Sequence, residues 1–272
     1  LLPVDFDSGS DDVASTSTIK CALSEEETRV LLREVPSAYR TQINDVLLTA
    51  LVRAFEDWTG DPRLLINLES HGRTDAFEDL DLSRTVGWFT SVYPVHLEIP
   101  AQGEPGEAIR AVKEQLRAIP QHGLDYGVLY YLRDGEGLRE ALAGCEPQVS
   151  FNYFGQFDQL LPAGAPLGPA PEREGDSQDP QNARWHLIDV SGSVQQGVLT
   201  LRWAFGANRF REETIRELAE AYMTRLREII EHCQSPETGG FTRSDVSDLF
   251  DDWSDDDFQD IDSAIRRSMG DE

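Results

Sequence analysis

Between Thr41 and Leu68 the spacing of apolar residues changes period, and this change restricts the fold more than any other feature of the chain. Ile43, Val46, Leu47, Ala50, Leu51, Ala54 and Phe55 recur at intervals of three and four, which places them along one side of a helix over residues 41–58. Gly60-Asp61-Pro62 ends that helix, and Leu64 to Leu68 then forms a short apolar run that reads as a buried strand. The two periods keep alternating. Residues 14–22 alternate Ser/Thr with apolar positions and suit a strand. Ser24-Glu25-Glu26-Glu27 is a capping box that opens a helix carrying Val30, Leu31 and Val35 on one face. Residues 86–99 are β-branched and aromatic, a strand pair or one long bent strand. Residues 107–119 predict a helix with Ile109, Val112, Leu116 and Ile119 inward. Residues 148–154 form another strand, and 185–193 with 198–205 a hairpin around Gln195-Gln196-Gly197. Residues 212–232 give a long helix with Ile215, Leu218, Tyr222, Leu226 and Ile229 on one stripe. Strands interleaved with helices specify an α/β fold.

The remaining segments set the boundaries. Residues 1–13 read as a linker, 14–242 as the folded body and 243–272 as an acidic tail. Residues 162–180, rich in Pro and Gly, read as an exposed loop. The tail holds eleven acidic side chains against three arginines. Ser254 could cap a helix there, with Phe258, Ile261, Ile265 and Met269 on one face, as a docking helix or a solvated linker remnant. The chain begins without Met and without a signal peptide, which reads as a piece of something longer. No apolar run approaches the roughly 20 residues that span a bilayer. The net charge of −26 argues against a basic face for nucleic acid or anionic membranes. Cys21, Cys145 and Cys233 form neither a disulfide framework nor a zinc motif, which suits a reducing cytoplasm.

Five blocks stand apart from this framework: Asn44-Asp45-Val46-Leu47-Leu48-Thr49-Ala50, Glu69-Ser70-His71-Gly72-Arg73, residues 84–94 beginning Arg84-Thr85-Val86-Gly87-Trp88-Phe89-Thr90, Pro120-Gln121-His122-Gly123-Leu124-Asp125-Tyr126-Gly127, and Phe151-Asn152-Tyr153-Phe154-Gly155-Gln156. Glu69 follows an apolar strand, so it sits at the strand's end, where a buried floor can raise its pKa. It is either an acid/base group or a strand-end carboxylate paired with Arg73. Asn152 and Tyr153 alternate across a strand; Tyr153 is a hydroxyl donor to a reacting group or a core tyrosine. His71 is a structural hydrogen-bonder. Gly72 and Arg73 set a turn, with Arg73 pairing a carboxylate. Trp88 and Phe89 are core aromatics or pocket walls. The block from Pro120 to Gly127 reads as a glycine-bearing turn before a helix.

In order and spacing these blocks resemble the second half of an epimerization domain of non-ribosomal peptide synthetases, within the condensation-domain superfamily. The resemblance covers residues 1–246. It implies one lobe, the C-terminal one, of the two-lobed chloramphenicol-acetyltransferase-like fold, with an active site in the tunnel between lobes. It implies conversion of an L-aminoacyl or L-peptidyl thioester on a carrier protein to the D form, by removal and return of the α-proton. Glu69 would be one acid/base group, Asn152 and Tyr153 would line the channel, and His71, Arg73, Trp88 and Gln156 would support them. The other acid/base group, a His of a His-His-x-x-x-Asp-Gly motif, belongs to the half that this sequence does not contain. The resemblance further implies a peptidyl carrier protein as partner, with the substrate on its phosphopantetheine arm, the N-terminal lobe, and a downstream synthetase through the tail. No cofactor or metal is expected on this chain. Departures are Ser70 for Gly, Thr74 for Glu, His122 for Lys and Asp125 for Gly; His122 removes a cation from the carrier-facing entrance. Other readings are a carrier-docking module without chemistry, or a fragment of a plain condensation domain. A lone lobe is also expected to expose apolar inter-lobe surface.

Overall fold

The computed structural model describes residues 1–73, 81–82, 84–132, 146–157, 175 and 178–245. Six strands form one sheet: β1 (Thr16–Ala22), β2 (Arg63–Ser70), β3 (Ser91–Glu98), β4 (Val149–Gln156), β5 (Ile188–Gln195) and β6 (Val198–Gly206). Their spatial order is β1-β6-β5-β4-β2-β3. β4 runs parallel to both β2 and β5, and the remaining pairs are antiparallel. Among the described residues the helices are α1 (Glu25–Arg33), α2 (Val35–Tyr39), α3 (Ile43–Thr59), α4 (Pro105–Arg117), α5 (Leu124–Gly127) and α6 (Glu212–Gln234).

The core follows from strand alternation. Ile66, Leu68, Val149, Phe151, Ile188, Val190, Leu201 and Trp203 are all buried, and they meet Val46, Leu47 and Phe55 of α3 and Tyr222 and Leu226 of α6. Trp203 packs edge-on against Tyr222 with ring centroids 5.6 Å apart, and the Tyr222 hydroxyl donates to Leu47 O at 3.2 Å. The intervening residues face away from the helices: Asn67 and Glu69 on β2, Ser150 and Asn152 on β4, Asp189 and Ser191 on β5, Arg202 on β6. This face is polar over these four strands, while large apolar side chains are exposed elsewhere, Val92 on β3 and Trp88, Phe154 and Trp185 among them. The exposed large apolar residues that line the cleft described below, Trp88 and Phe154, sit at the end of the sheet.

The helix starts are as the sequence encodes them. Ser24 Oγ accepts from Glu27 N while Glu27 Oε2 accepts from Ser24 N, closing the capping box. The hairpin turns at Gln196 and Gly197, both in the left-handed region. Residues 86–99 differ from expectation: only Ser91–Glu98 pairs in the sheet, and the stretch before it is irregular because it wraps the Gly72–Arg73 turn. Residues 1–12 are a docked strap, not a free linker. Leu2 N donates to Gln148 Oε1 at 2.7 Å, Asp5 N to Arg209 O at 3.0 Å, and Leu2 and Val4 pack on the core. The tail's start is also tied down. Lys113, 1% exposed, donates to both carboxylate oxygens of Asp245 at 2.7 Å and to Tyr39 O at 2.8 Å. The tail helix over 254–269, most of the loop over 162–180, Thr74 and Cys145 lie outside the described residues.

Candidate functional site

A cleft of about 1090 Å³ opens where the parallel strands β2 and β4 end. Open α/β sheets place ligand sites at the carboxyl ends of their strands. Glu69 is the penultimate residue of β2, and Asn152, Tyr153, Phe154 and Gly155 come from the last part of β4. β4 keeps regular pairing with β5 only as far as Tyr153, and the register shifts before Gln156. The irregularity lets Asn152 and Tyr153, which point to opposite faces of the sheet, both border one cleft. Gln42 and Asn44 at the start of α3 form part of its wall.

Asn152 Nδ2 donates a short hydrogen bond to Glu69 Oε2. Glu69 is open to the cleft along its outer edge, yet its carboxyl is pushed above the ordinary carboxylate value. Desolvation is the chief cause; His186 lowers it and Asp189 raises it. The Tyr153 hydroxyl is buried and has no hydrogen-bond partner among the described residues, and burial raises its pKa as well. A donor left unpaired beside a cleft is a group poised for a ligand.

The Glu69–Gly72 turn is built around a close contact. Gly72 has φ +64°, and a Cβ there would fall 1.6 Å from the carbonyl oxygen of Phe89. That contact pins the 84–90 segment against the turn. Among the described residues Arg73 pairs with no carboxylate, where a carboxylate partner was expected. Its guanidinium donates to Leu82 O at 2.5 Å and Gly87 O at 3.3 Å and lies 4.4 Å from the centre of the Phe89 ring. Among the described residues, the pinned loop supplies its partners, so Arg73 serves loop structure. His71 Nδ1 accepts from Arg73 N at 3.0 Å and braces the same turn. Trp88 is exposed and lines the cleft, as a wall and not a core aromatic.

The turn from Pro120 to Gly123 leads into the short helix α5. Gln121 and His122 hold left-handed backbones at φ 44° and 52°, and Gly123 follows at 79°. Gly123 lies so close to the Tyr93 ring that a Cβ would come within 2.3 Å of it. This strained stretch brings His122 to the cleft. Gln156 is the one expected site residue that lies elsewhere: past the register shift it lines a second cavity of about 640 Å³ beside α1. Sequence reasoning missed Gln42 as wall, and missed His186 and Asp189 behind Glu69. No local spacing marks the latter, because Ser150 and Asp189 become neighbours only through the pairing of β4 with β5.

The condensation-domain model matches residues 1–248. The chain belongs to the condensation-domain family. One of the linear gramicidin synthase proteins of Brevibacillus parabrevis is 47% identical over 247 residues, which is 90% of this chain and 3% of that protein. Surfactin synthase subunit 1 of Bacillus subtilis (strain 168) is 39% identical over 247 residues, 91% of this chain and 7% of that protein. Among solved structures, the epimerization domain from the third module of tyrocidine synthetase B superposes with a TM-score of 0.78 at 38% identity. That match covers 86% of this chain and 52% of the other. The chain therefore spans a small part of the curated relatives and about half of the epimerization-domain structure. Its mixed sheet is the condensation-domain lobe that the five blocks implied. Among the described residues, no helix is long and apolar enough to cross a membrane, and no three His, Cys, Asp or Glu side chains gather as a metal site requires.

Proposed function

We propose that this chain is the C-terminal half of an epimerization domain. It supplies one wall of a site that removes and returns the α-proton of an aminoacyl or peptidyl thioester carried on the phosphopantetheine arm of a peptidyl carrier domain. The observation that carries the reading is the Glu69–Asn152 pair at the strand ends, with the unpartnered Tyr153 hydroxyl beside it. A carboxyl with a raised pKa is a stronger base once ionised. Asn152 holds it in one orientation. Deprotonation at Cα moves charge onto the thioester oxygen, and the Tyr153 hydroxyl, without a partner among the described residues, can donate to it there. Inversion needs a second acid/base group on the other side of Cα. That group belongs to the N-terminal half, which also closes the cleft. The similarity to an epimerization-domain structure supports this reading over a plain condensation fragment.

The test is α-proton exchange in heavy water on an L-aminoacyl or L-peptidyl holo-carrier, with this chain alone and then with an N-terminal epimerization half added. Deuterium uptake with loss of chirality only in the second case supports the reading. Carrier binding without exchange in either case would instead make the chain a docking module.

A further inference from the structure

Asn152 borders Glu69 on one flank. On the other flank β2 pairs with β3, and the register sets Val92 opposite Glu69. Residues opposed across an antiparallel pair share one face, with Cβ atoms about 5 Å apart. Val92 therefore stands on the open face beside the carboxyl, and it is 45% exposed. Two larger apolar side chains border the cleft that Glu69 lines, Trp88 at 90% exposed and Phe154 at 56%. Phe154 follows Asn152 by two residues on β4. The carboxyl is thus flanked by one amide and by an apolar collar drawn from three segments of the chain.

The collar is held in place. Phe89 anchors the loop that carries Trp88: the Arg73 guanidinium lies over its ring, and its carbonyl oxygen fills the space that a side chain at Gly72 would need. Gly87 sits against the ring edge, where a Cβ would come 2.9 Å from Phe89 Cε2. Phe89 is half-buried in these contacts while its neighbour Trp88 stands out in solvent. An indole left bare on an anchored loop exposes apolar area at a cost, and rigid aromatic side chains are where binding energy concentrates. The charges of the cleft point the same way. Among the described residues Arg73 is the one guanidinium or ammonium group that lines it, and Arg73 is committed to the carbonyls of Leu82 and Gly87. His71 uses Nδ1 as an acceptor for Arg73 N, so that nitrogen carries no proton. His122, on the separate turn before α5, is the remaining basic side chain on the cleft.

We propose that Trp88, Val92 and Phe154 form the subsite for the side chain of the residue being epimerized, and that this subsite selects an apolar side chain, aromatic or branched, over a small or an acidic one. The inference rests on the reading of Glu69 as an acid/base group, because that reading places the substrate. For Glu69 to exchange the α-proton, Cα must lie about 3 Å from its carboxylate. The substrate's side chain begins one bond from Cα, so it falls on the residues that flank Glu69. Asn152 is polar and bonded to the carboxylate, which leaves the collar on the other flank to receive an apolar group. An acidic side chain placed there would stand beside a second carboxylate with no committed cation to meet it.

The experiment measures binding to the full chain assembled with an N-terminal epimerization half. The probes are N-acetylated L-phenylalanyl, L-leucyl, L-alanyl and L-aspartyl amides of pantetheine, which differ only in the side chain. Calorimetry gives the affinities. The indole N–H signal of Trp88, assigned by its loss in Trp88→Ala, reports where the side chain sits. The phenylalanyl and leucyl probes should shift that signal and bind about 10-fold tighter than the alanyl probe, with the aspartyl probe weakest. Trp88→Ala should bring the phenylalanyl preference over alanyl to within about threefold, and Val92→Thr, which keeps the side-chain shape, should narrow it in the same direction. Equal affinities across the series, a preference for the aspartyl probe, or a preference unchanged in both variants overturns the proposal. A Trp88 signal that moves on adding the N-terminal half and no further with any probe also overturns it, and gives the collar to the other lobe. The measurement needs no turnover. If the proposed epimerization fails, deuterium uptake is absent while the ranking here stands; if only the subsite is wrong, uptake is intact and the ranking is lost.

Discussion

On its helix side the sheet presents Ile66, Phe151, Val190 and Trp203, all 2% exposed or less. On its other side the same four strands present Asn67, Asn152, Asp189 and Arg202. One residue of offset separates a dry core from a hydrogen-bonded polar floor. The difference teaches where each kind of information lies. The core side is specified by strand alternation and by the apolar stripes of α3 and α6. The polar side is specified by single residues whose value depends on neighbours from other strands. The cleft lies where the two sides end together, which is why it draws Tyr153 from one face and Glu69 and Asn152 from the other.

If the helix side carries the stability, damage there dominates. Trp203→Ala empties the centre of the core and should destabilise by about 3–5 kcal/mol, read from denaturant melts. Asp245→Ala leaves the buried Lys113 ammonium without its counter-ion and should cost about 3 kcal/mol. A melt unchanged by Asp245→Ala would mean that the start of the acidic tail is not part of the fold.

On the cleft side the expectation reverses, with function lost and stability kept. Tyr153→Phe removes a hydroxyl with no partner among the described residues, so the melt should move by less than about 0.5 kcal/mol. Exchange in the two-lobed assembly should slow about 100-fold. A large loss of stability would instead make Tyr153 a structural residue.

The smallest effects separate the two sides by the sign of their pH response. His232, packed beneath the Tyr39 ring and bonded to its hydroxyl at 2.8 Å, has its pKa lowered chiefly by burial. Its folded form prefers the neutral ring, so the stability it contributes is present above pH 6.5 and fades as pH falls. Glu69 has its pKa raised, so its burial is free below pH 4.5 and becomes a cost as pH rises. His232→Gln should flatten the stability profile on the acid side of pH 6.5. Glu69→Gln should melt higher than wild type at neutral pH and equal to it near about pH 4. Matching slopes in both variants would erase the contrast between the faces.

Much of this was legible in the residues. The 3.6-to-2 period change between Ile43 and Leu68 placed helix and strand to within a few positions, because burial on one side imposes that spacing. The Glu69 block and the Asn152–Tyr153 block met in space as their resemblance to epimerization domains implied. What was not legible came from contacts that no local pattern encodes. Arg73 turned to loop carbonyls because Gly72 admits Phe89 O at a distance closed to any side chain. Gln156 left the cleft because β4 loses its register after Tyr153. Residues 1–12 read as a linker by composition, yet Leu2 and Asp5 find partners 146 and 206 residues away, and Val4 packs on the core.

The central claim is that Glu69 does chemistry and holds no structure together. Its most direct test is α-proton exchange on a carrier-bound L-aminoacyl thioester, comparing wild type with Glu69→Gln in the assembled two-lobed domain. The account predicts that the variant folds, melts at or above the wild-type temperature at neutral pH and binds carrier, while deuterium uptake falls to background. A folded Glu69→Gln domain that still exchanges the α-proton at the wild-type rate would contradict it.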